Sequence, residues 1–366
     1  MLIYLFFVSS LYSSKYLLTS LPYNGNLIKD TLKRHFKKEI SNEEEVYNMA
    51  TENPAHFDLV KQTNQINIRN ILRQHSPLSI AGLASKASLT YPTVASLLKE
   101  LENKGEVIQS KKLESRGGRP GVQYELDVRY QYGLVLYFED FILVGKIFNV
   151  YGQVIEEYST DASYDFTVEA MVSFAATISK RYPRITAISI GIPGVVWNNN
   201  ILSVPRYTNI QGTQIYEKLK NTFQAEIFIE NDLNAISLAE VKHDNTFAHI
   251  AFINQCFAAG IVLNGEVYTG SNGYAGELEY LYNDINEKEE TLVTCMLSLI
   301  CVLNLPLIYI SGDGITDKMA ISIKDKLGKK LLAEQIPEII VSEDLDNKYE
   351  EGLRKKILLY WENHIK

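Results

Sequence analysis

Between residues 64 and 105, apolar positions recur at helical spacing three times, with proline, serine and glycine between the runs. Ile66, Ile68, Ile71 and Leu72 form the first stripe, and Ser76-Pro77 stops it because proline has no amide proton to extend a helix. A second stripe, short and alanine-rich, comprises Ile80, Leu83, Ala84 and Ala87 and ends at Ser88-Leu89. Thr90 then reads as an N-cap and Pro92 fits the first helical turn. Val94, Leu97, Leu98 and Leu101 follow at i, i+3, i+4 and i+7 until Gly105 supplies the stop. Beyond it, strand-like runs at 107–109 and 122–126 flank a loop with Lys111-Lys112 and Arg116-Gly117-Gly118-Arg119-Pro120-Gly121. Three helices followed by a β-hairpin with a basic tip predict a winged helix-turn-helix over residues 61–126.

From Tyr132 the pattern changes to alternating strands and helices. Runs at 134–138, 143–149 and 154–158 predict a meander, followed by a helix over 168–180 and a buried strand over 186–191. Ile192-Pro193-Gly194 predicts a tight turn, 212–223 a helix and 226–229 a strand. That strand runs directly into Glu230-Asn231-Asp232-Leu233-Asn234 and a helix through Val241. Polar side chains where a strand ends and a helix starts lie where α/β sheets bind ligands. A second half repeats the theme: strands at 249–253 and 260–263, an Asn264-Gly265 hairpin signal, the loop Gly270 to Glu277, a helix over 291–303 and a strand over 307–311. A Gly312-Asp313-Gly314 loop and a last helix-strand-helix segment follow, so two α/β lobes with a cleft between them are expected.

Composition narrows the function. With 366 residues, 46% apolar and 22% charged, the chain is long and apolar enough for two or three packed domains, which excludes disorder and fibres. The net charge of -8 is unevenly spread. Residues 1–60 carry 6 basic and 7 acidic side chains, residues 61–121 carry 10 and 4, and residues 122–366 carry 20 and 33. A segment at +6 beside one at -13 is the asymmetry of a module that meets a polyanion and a module that does not, and it points to nucleic acid.

Cys256, Cys295 and Cys301 are odd in number, widely spaced and in apolar surroundings, and are expected to be reduced core thiols. No run reaches the roughly 20 apolar residues of a membrane span, so a cytoplasmic protein without membrane contact is expected. Residues 1–48 are read as an N-terminal extension outside the functional core. Leu2 to Val8 could be a short signal-peptide core, but no basic residue precedes it; alternatively, translation starts at Met49.

Candidate DNA contacts follow from the third helix and the wing. Thr90, Tyr91, Thr93, Ser96 and Lys99 lie on the face opposite the apolar stripe, with side chains able to reach base edges and phosphates in a major groove. Lys111, Lys112, Arg116 and Arg119 supply a basic glycine loop suited to phosphates and a narrow minor groove. The competing readings are a helical subdomain for protein contact and, for the two arginines, a solvated linker.

Taken together, the winged helix with its R-G-G-R-P loop, I-G-I-P-G-V-V at 190–196, E-N-D-L-N-A at 230–235 and A-G-E at 275–277 resemble the ROK family. That family unites sugar kinases with sugar-responsive transcriptional regulators, and only the regulators carry the DNA-binding module. The resemblance implies an α/β chain: an N-terminal winged helix-turn-helix at 49–126 and, at 127–366, a two-lobed actin-like, sugar-kinase-like (ribonuclease H-like) domain. It further implies that Asp232 matches the kinases' general base, that Asn231 and Glu277 match residues binding sugar hydroxyls, and that Gly194 lines the same site. Carboxylates and amides suit hydroxyl-rich ligands because each accepts or donates paired hydrogen bonds. Helix capping is the alternative for Asp232 and Asn234, and a solvated loop acid for Glu277.

Departures from the family pattern bear on activity. Where the kinases have D-x-G-G-T-K, this chain has Tyr137-Phe138-Glu139-Asp140-Phe141-Ile142, and carboxylates beside a triphosphate would be repulsive by several kcal/mol. The second glycine-rich phosphate loop corresponds to Asn254 to Gly260, N-Q-C-F-A-A-G, which keeps only its last glycine. Tyr280 replaces the histidine of E-x-G-H, and the cysteine loop of the family's structural zinc site is missing, so neither metal nor cofactor is expected. The chain is therefore expected to be a non-enzymatic repressor of carbohydrate-related genes. It would bind a double-stranded operator as a homodimer or dimer of dimers and sense a sugar or sugar derivative, with Gly194, Asn231, Asp232, Glu277 and Tyr280 as ligand residues. A sugar kinase with a fused DNA-binding module and an effector-independent DNA-binding dimer are the alternatives.

Overall fold

The computed structural model describes residues 54–110, 122–163, 165–242, 245–253, 255–282 and 287–364. Residues 64–366 belong to one compact unit, and the described residues before it, 54–63, are the first turns of a helix that enters it.

That helix, α1 (Pro54–His75), begins twelve residues before the first apolar stripe, with proline at its first position, where a missing amide proton costs nothing. It ends one residue before Ser76-Pro77, as the sequence predicts. Strand β1 (Leu78–Ser79) leads into α2 (Ile80–Ala87), which Ser79 caps by accepting from the Gly82 amide. Helix α3 (Tyr91–Asn103) is capped by Thr90, whose hydroxyl accepts from the Thr93 amide. Its stripe of Val94, Leu97, Leu98 and Leu101 is buried against Ile68, Leu72 and Leu83. Strands β2 (Val107–Gln109) and β3 (Gln123–Leu126) pair antiparallel, with β1 on the far side of β3. The two-residue β1 has too little periodicity to be read from sequence. The wing loop bearing Lys111, Lys112, Arg116 and Arg119 lies outside the described residues.

The first lobe comprises β4 (Tyr132–Glu139), β5 (Ile142–Phe148), β6 (Val154–Asp161), α4 (Val168–Arg181), β7 (Ile185–Ile192), the hairpin β8 (Val195–Trp197) and β9 (Asn200–Ser203), α5 (Ile215–Thr222) and β10 (Glu226–Asn231). Its sheet runs β10-β7-β4-β5-β6, with β10, β7 and β4 parallel and the meander β4-β5-β6 antiparallel. After α6 (Asp232–Glu240) the second lobe follows the same plan. Strands β11 (Phe247–Ile253), β12 (Cys256–Leu263) and β13 (Glu266–Val267) form a meander, and helix α7 (Lys288–Leu303) connects it to β14 (Leu307–Gly312). Helix α8 (Asp317–Gly328), β15 (Glu338–Val341) and α9 (Leu345–Asn363) complete it. The order β13-β12-β11-β14-β15 mirrors the first sheet. At the β12–β13 turn, Asn264 and Gly265 take φ of 53° and 80°, the left-handed pair that a two-residue hairpin needs.

Helices α6 and α9 pack between the sheets. Leu233, Ala235 and Ile236 of α6 and Tyr349, Leu353, Ile357 and Trp361 of α9 share one core with Val135, Ala187 and Ala251 of the sheets. The helices touch at Gly352, where a Cβ would lie 1.7 Å from the Ala235 carbonyl oxygen. At the other end of α9, Asn70 donates to the Glu362 carbonyl at 3.2 Å, and Arg73 approaches the Glu362 carboxylate at 3.9 Å. The Arg73 Nε donates to the Val150 carbonyl at 2.9 Å, while Val150 and Tyr151 of the β5–β6 turn pack into the winged-helix core.

The cysteine expectation is corrected. Only Cys295 is buried; Cys256 sits at the exposed start of β12, and Cys301 lies on the outward face of the last turn of α7. An apolar sequence neighbourhood did not mean burial, because the period of a helix and the end of a hairpin turn single residues outward.

Candidate functional site

Strand β10 pairs in parallel with β7, and Asn231 comes level with Ile192, beside the Pro193-Gly194 turn. Asn231 then caps α6: its Oδ1 accepts from the Asn234 amide at 3.0 Å. Its Nδ2 donates to the Gly194 carbonyl and to Asp232 Oδ1, each at 2.9 Å. The capping expected of Asp232 and Asn234 therefore falls to Asn231, which ties the Gly194 turn to the Asp232 carboxylate. Gly194 is required sterically, since a Cβ there would stand 2.1 Å from the Ser203 carbonyl oxygen. Asn234 is buried and donates to Glu230, which also pairs with Lys356 of α9 at 3.1 Å.

The Asp232 carboxylate lies near enough to Glu277 for its charge to oppose ionisation of Glu277. Burial pushes the Asp232 carboxyl up to about 6 despite the amides it accepts from. Burial first, then the charges of Asp232 and Glu279, push Glu277 up to about 7. Glu277 precedes a short 3-10 turn, Leu278–Leu281. Tyr280 lies on that turn and is 73% exposed, so it stands on the rim rather than inside the site. The structure thus gathers Gly194, Asn231, Asp232 and Glu277 and leaves Tyr280 at the edge.

A cavity of about 490 Å³ opens from Asp232 between the lobes. Its walls are Glu139, Asp140, Pro193, Arg206 and Tyr207 from the first lobe, Phe252, Ile253 and Asp313 from the second, and Leu345, Asp346 and Tyr349 from α9. The segment that matches the kinases' first phosphate loop is a tight hairpin turn. Asp140 and Phe141 connect paired Glu139 and Ile142, with Asp140 at φ 49°. On the other side, Ile253 pairs with Cys256. Gly260 lies within β12, where a Cβ would stand 2.0 Å from the Ser237 Oγ and 2.4 Å from the Leu233 carbonyl oxygen. It is a glycine of close helix–strand packing, not a remnant of a phosphate loop. His249 is buried in β11 with its Nε2 2.8 Å from the Ser311 hydroxyl, and among the described residues no three of His, Cys, Asp and Glu are grouped as a metal ion would need.

Sequence reasoning missed Arg206, Tyr207, Asp346 and Tyr349. Asp313 carried a signal, lying in a glycine loop at the carboxyl end of β14. Tyr349 carried none, because an apolar position on a helix reads only as core.

On α3, Tyr91, Ser96 and Lys99 are exposed and Thr93 is half-buried. The Thr90 and Thr93 hydroxyls pair with each other at 2.8 Å. Lys86, exposed in the last turn of α2, is a further cation on this module that the spacing of the third helix could not indicate.

Fold and site together define a winged helix-turn-helix joined to a two-lobed, actin-like domain of the sugar-kinase type. The chain belongs to the ROK family, whose model matches residues 142–347. It is 24% identical over 240 residues to the DNA-binding transcriptional dual regulator NagC of Escherichia coli K12, a stretch covering 62% of this chain and 59% of that protein. The chain therefore spans about three-fifths of the length of that relative. The crystal structure of a ROK family transcriptional regulator, a homologue of the E. coli Mlc protein, superposes with a TM-score of 0.60 at 18% identity, covering 82% of this chain and 99% of that one. A Listeria monocytogenes protein described as a candidate N-acetylmannosamine kinase superposes with a TM-score of 0.54 at 16% identity, over 63% of this chain and 99% of that one. These two likenesses establish the shared fold. No helix among the described residues is long and apolar enough to cross a membrane.

Proposed function

We propose that this chain is a cytoplasmic, sequence-specific DNA-binding repressor of carbohydrate-related genes. In this reading residues 49–126 bind a roughly palindromic duplex as part of a homodimer or dimer of dimers. Residues 127–366 are a kinase-derived domain that senses a sugar or sugar derivative and transfers no phosphoryl group. The observation that carries the reading is the capped helix α3, which buries one stripe and leaves Tyr91, Ser96 and Lys99 exposed on a segment with six more basic than acidic residues. The DNA-binding transcriptional dual regulator NagC among its relatives supports the class of DNA-binding regulator.

The kinase alternative is disfavoured by the cleft. A nucleotide needs backbone amides and cations around its phosphates, whereas a tight hairpin turn at Asp140-Phe141 and the carboxylates of Glu139, Asp140 and Asp313 stand there. The residues do not fit a nucleotide, and no phosphoryl-transfer step is derived from them. Against the effector-independent alternative stands a cavity of about 490 Å³, within the usual range for small-molecule sites.

Helix α9 offers the connection that a sensor needs. Its first turn lines the cavity with Leu345, Asp346 and Tyr349, and its last turn holds Asn70 and Arg73 of α1 through Glu362. Nineteen residues at about 1.5 Å each make one rod of roughly 28 Å. A ligand would shift DNA affinity only by binding the two arrangements of this assembly unequally.

The direct test is selection of bound duplexes from fragmented genomic DNA by the full purified chain. Enrichment of a two-fold-symmetric sequence, lost with Ser96→Ala and Lys99→Ala together, is expected. A chain that retains no duplex even at low salt would end the proposal.

A further inference from the structure

We propose that Tyr151, a residue of the kinase-like domain, is a positioning residue for DNA recognition: its hydroxyl fixes the angle of the winged helix, and thereby the half-site spacing that a dimer accepts. The inference rests on the dimeric DNA-binding reading above and adds to it a determinant that touches no DNA.

The winged helix has a core completed from outside, which is the first observation. Its covalent link to the first lobe is short, residues 127–131 between β3 and β4. A second connection comes from the turn between β5 and β6. Val150 of that turn is 3% exposed and packs, together with Tyr151, among Ile68, Leu72, Leu98 and Leu126 in the core of the winged helix. The module can swivel about its link only if this turn is withdrawn, which would return apolar surface to water.

The second observation is what the Tyr151 hydroxyl holds. It lies 2.9 Å from the Ser76 Oγ, just past the end of α1. It also accepts from the Leu126 amide at 2.8 Å and donates to the Leu126 carbonyl at 3.3 Å, at the last residue of β3. One hydroxyl from the first lobe therefore ties together the first helix and the last strand of the DNA-binding module. Hydrogen bonds are directional, so they fix an angle that apolar packing alone leaves free to slide.

The third is the stiffness of the base that carries this hydroxyl. Asn149, 5% exposed, accepts from the Tyr151 and Gln153 amides at 2.9 and 3.2 Å. Gly152 takes φ 77° and lies so close to α9 that a Cβ would stand 3.0 Å from Leu358, while Arg354 of α9 donates to the Gly152 carbonyl at 2.5 Å. Below the turn, the buried Phe148 ring packs against Trp361 of α9 with centroids 5.6 Å apart. The orientation of the winged helix is thus referred to β5 and α9 and not to the link.

One added base pair moves a half-site by about 3.4 Å along the duplex and roughly 35° around it. A reader held at a fixed angle cannot follow that displacement, whereas a reader on a free tether can. The test measures anisotropy of labelled duplexes with the full chain: the selected operator, versions with the centre lengthened or shortened by one base pair, and a single half-site. The wild type should lose about tenfold or more in affinity for each altered spacing. Tyr151→Phe, which keeps the ring in the core, should shrink that loss to about threefold or less while leaving single half-site affinity unchanged. Tyr158→Phe removes a hydroxyl bonded to Glu156 on β6 and should keep the wild-type spacing profile. If Tyr151→Phe loses half-site binding because the module unfolds, Ser76→Ala removes one of the same contacts from the other side and should relax the spacing in the same direction. A wild type that tolerates every spacing equally, or variants as strict as the wild type, overturns the inference and leaves the DNA-binding reading standing. A chain that binds neither operator nor half-site overturns both.

Discussion

Asn231 spends its side chain on the fold. One end caps α6 and the other holds the Gly194 carbonyl and the Asp232 carboxylate, so it orients the acid next door more than it presents itself to a ligand. Asn231→Ala should cost about 1 kcal/mol for the cap, with a further loss as Asp232 is released. Asn231→Ser should restore the cap alone, so urea unfolding of the two variants separates the two roles. Asp232 and Glu277 predict a pH dependence. Asp232 rises from 3.8 to about 6 and Glu277 from 4.5 to about 7, so between roughly pH 4 and 7 the folded chain holds more protons than the unfolded one. Stability from this pair is therefore greatest at the acidic end and falls as pH rises through that window. Glu277→Gln should flatten the fall, measured as unfolding temperature against pH. The sequence pointed to these residues through their motifs, but it did not reveal that Asn231 is the cap. A capping bond depends on which of several adjacent polar residues the strand-to-helix turn brings to the first amides.

At the scale of elements, the crossing of α6 and α9 sets the geometry of the cleft. Gly352 has room for no Cβ, because the obstacle is the Ala235 backbone, which cannot step aside as a side chain could. Gly352→Ala should destabilise by about 1–3 kcal/mol despite alanine's better helix propensity. Gly328→Ala at the end of α8 meets only Ile336 at 3.8 Å and should be tolerated, which makes it the control in the same unfolding assay. The helices and strands of both lobes were legible because their apolar periods differ. The β8–β9 hairpin was not, since Val195–Trp197 and Asn200–Ser203 are too short for a period to emerge. The close-packing role of Gly260 was hidden as well, because a glycine in sequence reads the same in a phosphate loop and beneath a helix.

For the whole molecule, α9 places the cavity and the winged helix on one rigid element. If ligand and DNA are coupled through it, linkage requires that saturating ligand change DNA affinity by the same factor as saturating DNA changes ligand affinity. Arg73 is the residue to perturb: it contacts Asn70, Val150 and Glu362 and is itself almost buried. Arg73→Met keeps the packing of the stem and removes the polar contacts. The coupling factor, measured by anisotropy with labelled operator at two ligand concentrations, should fall towards one while each separate affinity changes less.

The order of elements, the winged helix, the two-lobed plan and the family motifs are properties of local pattern, and the sequence alone determined them through the spacing of apolar residues and the chemistry of turns. The cavity was decided by the tertiary structure. Glu139, Asp140, Asp232, Asp313, Asp346 and Tyr349 are spread over more than two hundred residues and meet only because two sheets and α9 fold around one space. Charge that is diluted along a chain acts as one patch only when folding brings it to a common surface.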